Sequence, residues 1–249
     1  MIMGLEVTLS TESFCWLRGA ARNDGGWLEL DRERAAEYTP SPGDSMILTD
    51  FSGVRTPTDA IAFIKGHGLL YSGPGATNLR ESFQEWSTEV NRIRAIFEVH
   101  ELLNRVVKGM RKAEALEDLR RRWQPFFQRE MGAADVPLPW SDELLLLYAT
   151  GFVSAMLSAG LSGVAEGVGS LSLDDPTAPV NVFELSPRPQ NLMGVVYHEL
   201  AMLIIGQVPL GECGECDRLY VVKDKRQRFC SKRCGGRARY RRWKEEHNE

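Results

Sequence analysis

The stretch Cys213–Lys244, CGECDRLYVVKDKRQRFCSKRCGGRARYRRWK, holds four of the chain's five cysteines, and its reading governs the rest. Cys213 and Cys216 form one closely spaced pair, and Cys230 and Cys234 form a second after thirteen intervening residues. Two such pairs joined by a short hairpin are what tetrahedral zinc requires, because each pair lets backbone turns aim two sulfurs at one ion about 2.3 Å away. Four thiolates leave no coordination position for water or substrate, so the expected cofactor is one structural Zn2+. Between the pairs, Leu219-Tyr220-Val221-Val222 has strand composition, Lys223-Asp224-Lys225 can turn, and Arg228-Phe229 leads into the second pair. Ser231 is placed to cap a helix whose first turn carries Cys234, so the order is that of a treble-clef finger: knuckle, hairpin, helix. So short a module cannot bury a core of its own, and metal binding should supply most of its folding free energy, on the order of 10 kcal/mol.

The helix continues as Gly235–Lys244, with five cations in ten residues and no acidic residue between Arg237 and Lys244. Arg237, Arg241 and Lys244 line one face, Arg239 and Arg242 form a second stripe, and Tyr240 and Trp243 either pack inward or offer an apolar contact. A charge run is ordinarily a solvated face. Solvated faces mix signs, however, and this one repels itself without a polyanion. Arginine outnumbers lysine five to two from Lys232 to Lys244, which favours bidentate contacts to phosphate or guanine. The expected nucleic-acid contacts are Arg237, Arg239, Arg241, Arg242 and Lys244, with Lys225 and Arg228 added from the hairpin.

These residues resemble the CGNR zinc-finger family of bacterial regulators, in which a C-terminal finger follows a larger domain known as ABATE. The matching text is Phe229-Cys230-Ser231, then Cys234-Gly235-Gly236-Arg237 and the Arg-rich helix. Upstream, Thr56-Pro57-Thr58-Asp59-Ala60 leading to Gly68-Leu69-Leu70 is an echo of the same family. Gly236 stands where the family name implies Asn. The resemblance implies a DNA-binding transcription regulator, DNA favoured over RNA, with an ABATE-like body over residues 1–208 and the finger over 209–249.

Working outward, the chain of 249 residues is 43% hydrophobic, long enough for one large or two ordinary domains. Its first residues lack the pattern of a secretory signal, so a cytoplasmic protein is expected, where metal ligation outweighs disulfides for the cysteine cluster and Cys15 fills space. The net charge of −4 hides an asymmetry: from Gly211 on there are 12 Lys or Arg against 7 Asp or Glu, leaving 18 against 27 in residues 1–210. A basic end on an acidic body points to an acidic partner.

The body reads as α+β, predominantly helical with a small N-terminal antiparallel sheet. Leu5–Leu9, Trp27–Leu30 and Met46–Leu48 have strand character, with turns at Asn23-Asp24-Gly25-Gly26 and Pro40-Ser41-Pro42-Gly43. Thr56–Asp59 offers a cap for a helix that Gly66 and Gly68 end after two turns. After a Gly73-Pro74-Gly75 turn, Asn78 can cap a long amphipathic helix through Phe83, Trp86, Val90, Ile93, Ile96, Phe97 and His100. The pattern continues through Leu102, Val106, Val107 and Met110 and resumes at Leu116, Leu119 and Trp123, as two helices or one bent one. Leu144–Ala165 carries no charge, but acidic flanks and three glycines argue against a membrane span and for a buried core helix. Asp174–Pro179 reads as a loop, Val180–Leu185 as a strand, and Ser186-Pro187-Arg188-Pro189 as a stop before an apolar helix, Asn191–Ile205.

Other chemistry is weakly marked. Tyr197-His198-Glu199 lacks the second histidine of a zinc protease, no histidine lies between Cys213 and Lys244 to serve a nuclease, and no glycine cluster is followed by Lys-Ser or Lys-Thr. An enzyme is therefore not expected. The body is larger than a scaffold for the finger needs, so it should sense a small-molecule or protein ligand. A homodimer would compensate for the few bases one finger reads, although no heptad pattern marks a seam. The rival readings are a finger that docks an acidic protein partner, its own acidic body included, and an enzyme hidden in the body.

Overall fold

The computed structural model describes residues 16–38, 47–72, 76–131, 140–170, 183–224 and 226–247. The fold is α+β and mostly helical. It divides into two compact units, one built from the chain up to Ser87 and from Ser162 on, the other from Thr88–Leu161. The expected strand Leu5–Leu9, Cys15, the Pro40–Gly43 and Gly73–Gly75 turns and the Asp174–Pro179 loop lie outside the described residues.

In the first unit, Trp16–Asp24 (β1) and Trp27–Tyr38 (β2) form a hairpin. Gly25 and Gly26 take φ of 58° and 89°, the two positive values a two-residue type I′ turn demands. Arg80–Ser82 (β3) pairs with β2, giving an antiparallel sheet in the order β1-β2-β3. Leu28 and Leu30 are buried on alternate positions of β2.

Ile47–Ser52 forms a helix (α1), where Met46–Leu48 reads as a strand. A short apolar run fits either state, and here a distant carboxylate decides. Glu199, on Leu192–Ile205 (α7), accepts hydrogen bonds from Leu48 N at 2.7 Å and Ile47 N at 3.4 Å, capping α1 from another element. Burial pushes the Glu199 carboxyl up to about 7; the two N–H donors and His67 oppose that rise and Asp50 adds to it.

Pro57–His67 (α2) carries the cap expected from Thr56–Asp59, and it takes the form of a capping box at Thr56. Its Oγ1 accepts from Asp59 N at 3.2 Å, and Asp59 Oδ2 accepts from Thr56 N at 2.9 Å. The helix runs through Gly66 and stops at Gly68, where φ is 97° and a Cβ would lie 2.4 Å from the Leu17 carbonyl oxygen.

Phe51, Phe63 and Trp86 meet edge to face with centroids 5.5, 5.6 and 5.9 Å apart. Trp86 Nε1 donates to the buried Glu81 of β3 at 2.7 Å. Glu81 also accepts from Leu70 N, Tyr71 N and Ser72 N at 2.9, 2.7 and 3.1 Å, so one carboxylate fixes three consecutive backbone groups. The long helix, Phe83–Val107 (α3), starts after β3 and is capped by Ser82 Oγ. Asn78, the expected cap, accepts from Arg80 N instead.

Val164–Ser170 (β4) and Phe183–Pro189 (β5) form a ribbon with Val164 opposite Pro189. The Ser186–Pro189 run thus continues a strand rather than stopping it; a two-stranded ribbon leaves each strand an open edge, where proline's missing N–H removes no ladder bond. Asn191 caps α7, accepting from Gly194 N at 2.8 Å.

In the second unit, Val90, Ile93 and Ile96 of α3 are buried at helical spacing. Val107 and Met110, read as part of that stripe, are exposed, because the chain turns at Gly109 (φ 66°) and Arg111 (φ 48°). Lys112–Asp118 (α4), a π-helical turn at Leu119–Trp123 and Gln124–Glu130 (α5) follow. Trp123, Phe126 and Phe127 cluster with Phe152 at centroid distances of 5.5–6.2 Å. Phe152 belongs to Asp142–Gly160 (α6), which buries the single stripe Leu145, Ala149, Phe152 and Val153 instead of its whole circumference. By length and composition alone α6 could also cross a membrane. The charge-free run ends not in helix but in a 3-10 turn, Leu161–Gly163, and the start of β4.

Because the folded chain holds Glu199 protonated up to about pH 7 while the unfolded chain releases that proton near 4.5, this group's stabilising contribution is full below pH 4.5 and is lost as pH rises through 7. Glu199→Gln keeps an acceptor for α1 and removes the titration. Urea unfolding should show wild-type stability declining from pH 4.5 to 8 by on the order of 3 kcal/mol more than the variant's; parallel profiles would refute the buried cap.

Candidate metal centre and nucleic-acid interface

Leu210–Glu212 (β6) and Leu219–Val221 (β7) pair antiparallel, and the turn between them carries Cys213 and Cys216. Backbone bonds close this knuckle: Asp217 N donates to Cys213 O at 2.8 Å, and Cys213 N to Arg218 O at 2.9 Å. Gly214 N donates to Arg228 O at 3.2 Å, which draws the approach to the second cysteine pair against the first. The return arm is fixed by Tyr220, whose hydroxyl donates to Gln227 O at 2.9 Å. Lys232–His247 (α8) is capped as expected, with Ser231 Oγ accepting from Cys234 N at 3.2 Å. Lys225 lies outside the described residues.

These local constraints converge four sulfurs. Cys216–Cys230 and Cys230–Cys234 Sγ atoms are 3.6 Å apart, Cys234–Cys216 3.7 Å, and all four ligand atoms lie within 4.8 Å of one another. A disulfide needs about 2.05 Å, whereas a tetrahedron with metal–sulfur bonds of about 2.3 Å has edges of about 3.8 Å. The cysteines are therefore free thiols whose spacing could hold a metal ion. Burial, then the neighbouring sulfurs, pushes the Cys230 thiol up. At Cys213 burial acts the same way but is outweighed by backbone N–H donors, and the thiol is lowered to about 7.

Around this centre α8 buries Cys234, Gly235 and Ala238, with the Phe229 ring lying against Gly235. The remainder faces outward. Arg237, Arg239, Arg241, Arg242 and Lys244 are all exposed, as is Arg228. Arg241 reaches back to Glu215 of the knuckle; among the described residues no acidic group pairs with the other four helix cations. Tyr240 and Trp243 do not pack inward, being 65% and 54% exposed.

The finger is seated on α1 by contacts that sequence reading missed. Arg218 Nη1 donates to Asp50 at 3.0 Å, and Asp50 also meets His67 Nε2 at 2.9 Å. Leu219 N donates to Ser52 Oγ at 2.9 Å, and Arg55 Nη2 to Asp217 O at 3.4 Å. These partners are more than 160 residues apart, apart from the Asp50–His67 pair, and no local pattern marks them.

Glu199 is committed to the backbone of α1, and His198 beside it is half-buried. A concavity of about 860 Å³ lies instead on the β1-β2-β3 sheet, lined by Arg22, Glu29, Arg32, Arg34, Asn78 and Arg80 among others. No model of a known protein family matches the chain, and no curated protein matches it.

The purified protein should bind one equivalent of zinc per chain, and Co2+ in its place should give tetrahedral ligand-field bands with sulfur-to-metal charge transfer. Cys234→Ser should weaken metal binding and open the first turn of α8 to amide exchange. An octahedral cobalt spectrum would rule out four-sulfur ligation.

Proposed function

We propose that the chain is a zinc-finger nucleic-acid-binding protein, and specifically a DNA-binding transcription regulator whose body senses a ligand or partner. The observation that carries this reading is the display on α8 of exposed cations, Arg237, Arg239, Arg242 and Lys244, with no acidic partner among the described residues. A helix held by a metal centre and left with that much uncompensated charge is an electrostatic footprint for a polyanion. The resemblance of Cys230–Arg237 to CGNR fingers supports the same reading. Zinc is the metal proposed, because a closed set of four sulfurs with short pair spacing is its usual structural site.

The rival in which the finger docks an acidic protein loses ground on one point. Docking on the chain's own body uses the knuckle edge, Asp217, Arg218 and Leu219, and leaves the basic face of α8 free. Sensing is assigned to the first unit, where α1 touches the finger and a charged concavity offers room for a small polar ligand. Phosphate contacts would position the protein, and base readout would fall to whichever arginines reach a groove edge.

Titration of the zinc-loaded protein against random duplex DNA over a range of salt should give a log–log slope of about −4.5 to −6, from roughly five to seven phosphate contacts. Changing Arg237, Arg239, Arg241 and Arg242 together to Ala should flatten that slope by about 3 to 4. Absence of salt-sensitive binding to duplex and single-stranded nucleic acid alike, with metal bound and the fold intact, would transfer the assignment to a protein-docking finger.

A further inference from the structure

We infer that the outward face of α8 stacks unpaired bases, so that its nucleic acid is single-stranded or locally opened; this rests on the nucleic-acid reading above. Gly236, Tyr240, Trp243 and His247 recur every three or four residues and share one helix face. It lies opposite the side that buries Cys234, Gly235 and Ala238. Along it the rings stack on one another. Tyr240 and Trp243 centroids are 6.0 Å apart with planes at 26°, and Trp243 and His247 are 4.9 Å apart at 24°. His247 Nδ1–H donates to Trp243 O at 2.8 Å, which fixes the end of the ladder.

At its other end the ladder is open. Gly236 lies one turn before Tyr240, and a Cβ built on it meets nothing within 4 Å, so the approach to Tyr240 crosses bare helix. Arg237 and Lys244 flank the rings on one side and Arg239 on the other, all exposed. Rings with cations on both sides match a strand that offers base faces in the middle and phosphates at the edges. A closed duplex hides those base faces within its own stack and would leave the three rings idle.

Fluorescence anisotropy with the full-length zinc-loaded protein tests this against three probes carrying similar numbers of phosphates: an oligothymidine strand, an abasic strand of the same length, and a duplex. The intact strand should bind about tenfold or more tighter than the abasic one. In the Tyr240→Ala/Trp243→Ala variant the two strands should bind alike, with the salt slope and zinc content kept. Equal affinity of the wild-type protein for intact and abasic strands, or preference for the duplex, overturns base stacking while the nucleic-acid reading stands. Failure of all three probes to bind in a salt-sensitive way overturns both.

Discussion

Four thiol sulfurs gathered within 4.8 Å of one another resist shared ionisation, and a cation among them removes that resistance. The display of α8 follows from this constraint. Cys234 sits in the first turn of the helix and Ser231 caps it, so the cysteine cluster fixes where the helix begins. An arginine-rich helix with only Cys234, Gly235 and Ala238 buried has little apolar surface to hold it helical, and isolated helices of this length are marginal in water. Cap and helix are therefore tied to the sulfur cluster, since α8 begins at its second cysteine pair.

The second joint is α1, six residues long and incapable of standing alone. It is held from several directions: Glu199 takes its first N–H groups, Phe51 enters the aromatic core with Phe63 and Trp86, and Asp50 bridges His67 and Arg218. Ser52 then accepts from the backbone of β7. A half-buried carboxyl, an aromatic triad and a bridging aspartate thus meet at one short helix that carries the finger.

What the sequence revealed and what it concealed divide by distance along the chain. The two close cysteine pairs, the Ser231 cap, the helix cap at Thr56–Asp59 and the Gly25-Gly26 turn each depend on residues within a few positions, and all were legible. The helical state of Ile47–Ser52 depends on Glu199, about 150 residues away, so the apolar run at Met46–Leu48 read as a strand. The seat of the finger depends on Asp50 and Ser52, equally remote from Arg218 and Leu219. Ser186–Pro189 misled for a different reason: proline breaks a central strand, but not one with an open edge. On α8 the cations were readable as two stripes, whereas the outward stack of Tyr240, Trp243 and His247 was not, because ring exposure follows from which face the metal-bound turn buries.

Arg218 lies across Gly53 so closely that a methyl group at position 53 would meet its Nε, Cγ and Cδ atoms at 2.4–2.8 Å. The arginine side chain would have to shift to make room. Body and finger are thus matched like lock and ward: the space above position 53 belongs to the finger's arginine. A side chain added at position 53 would therefore unsettle the seat of the finger without touching a single cysteine.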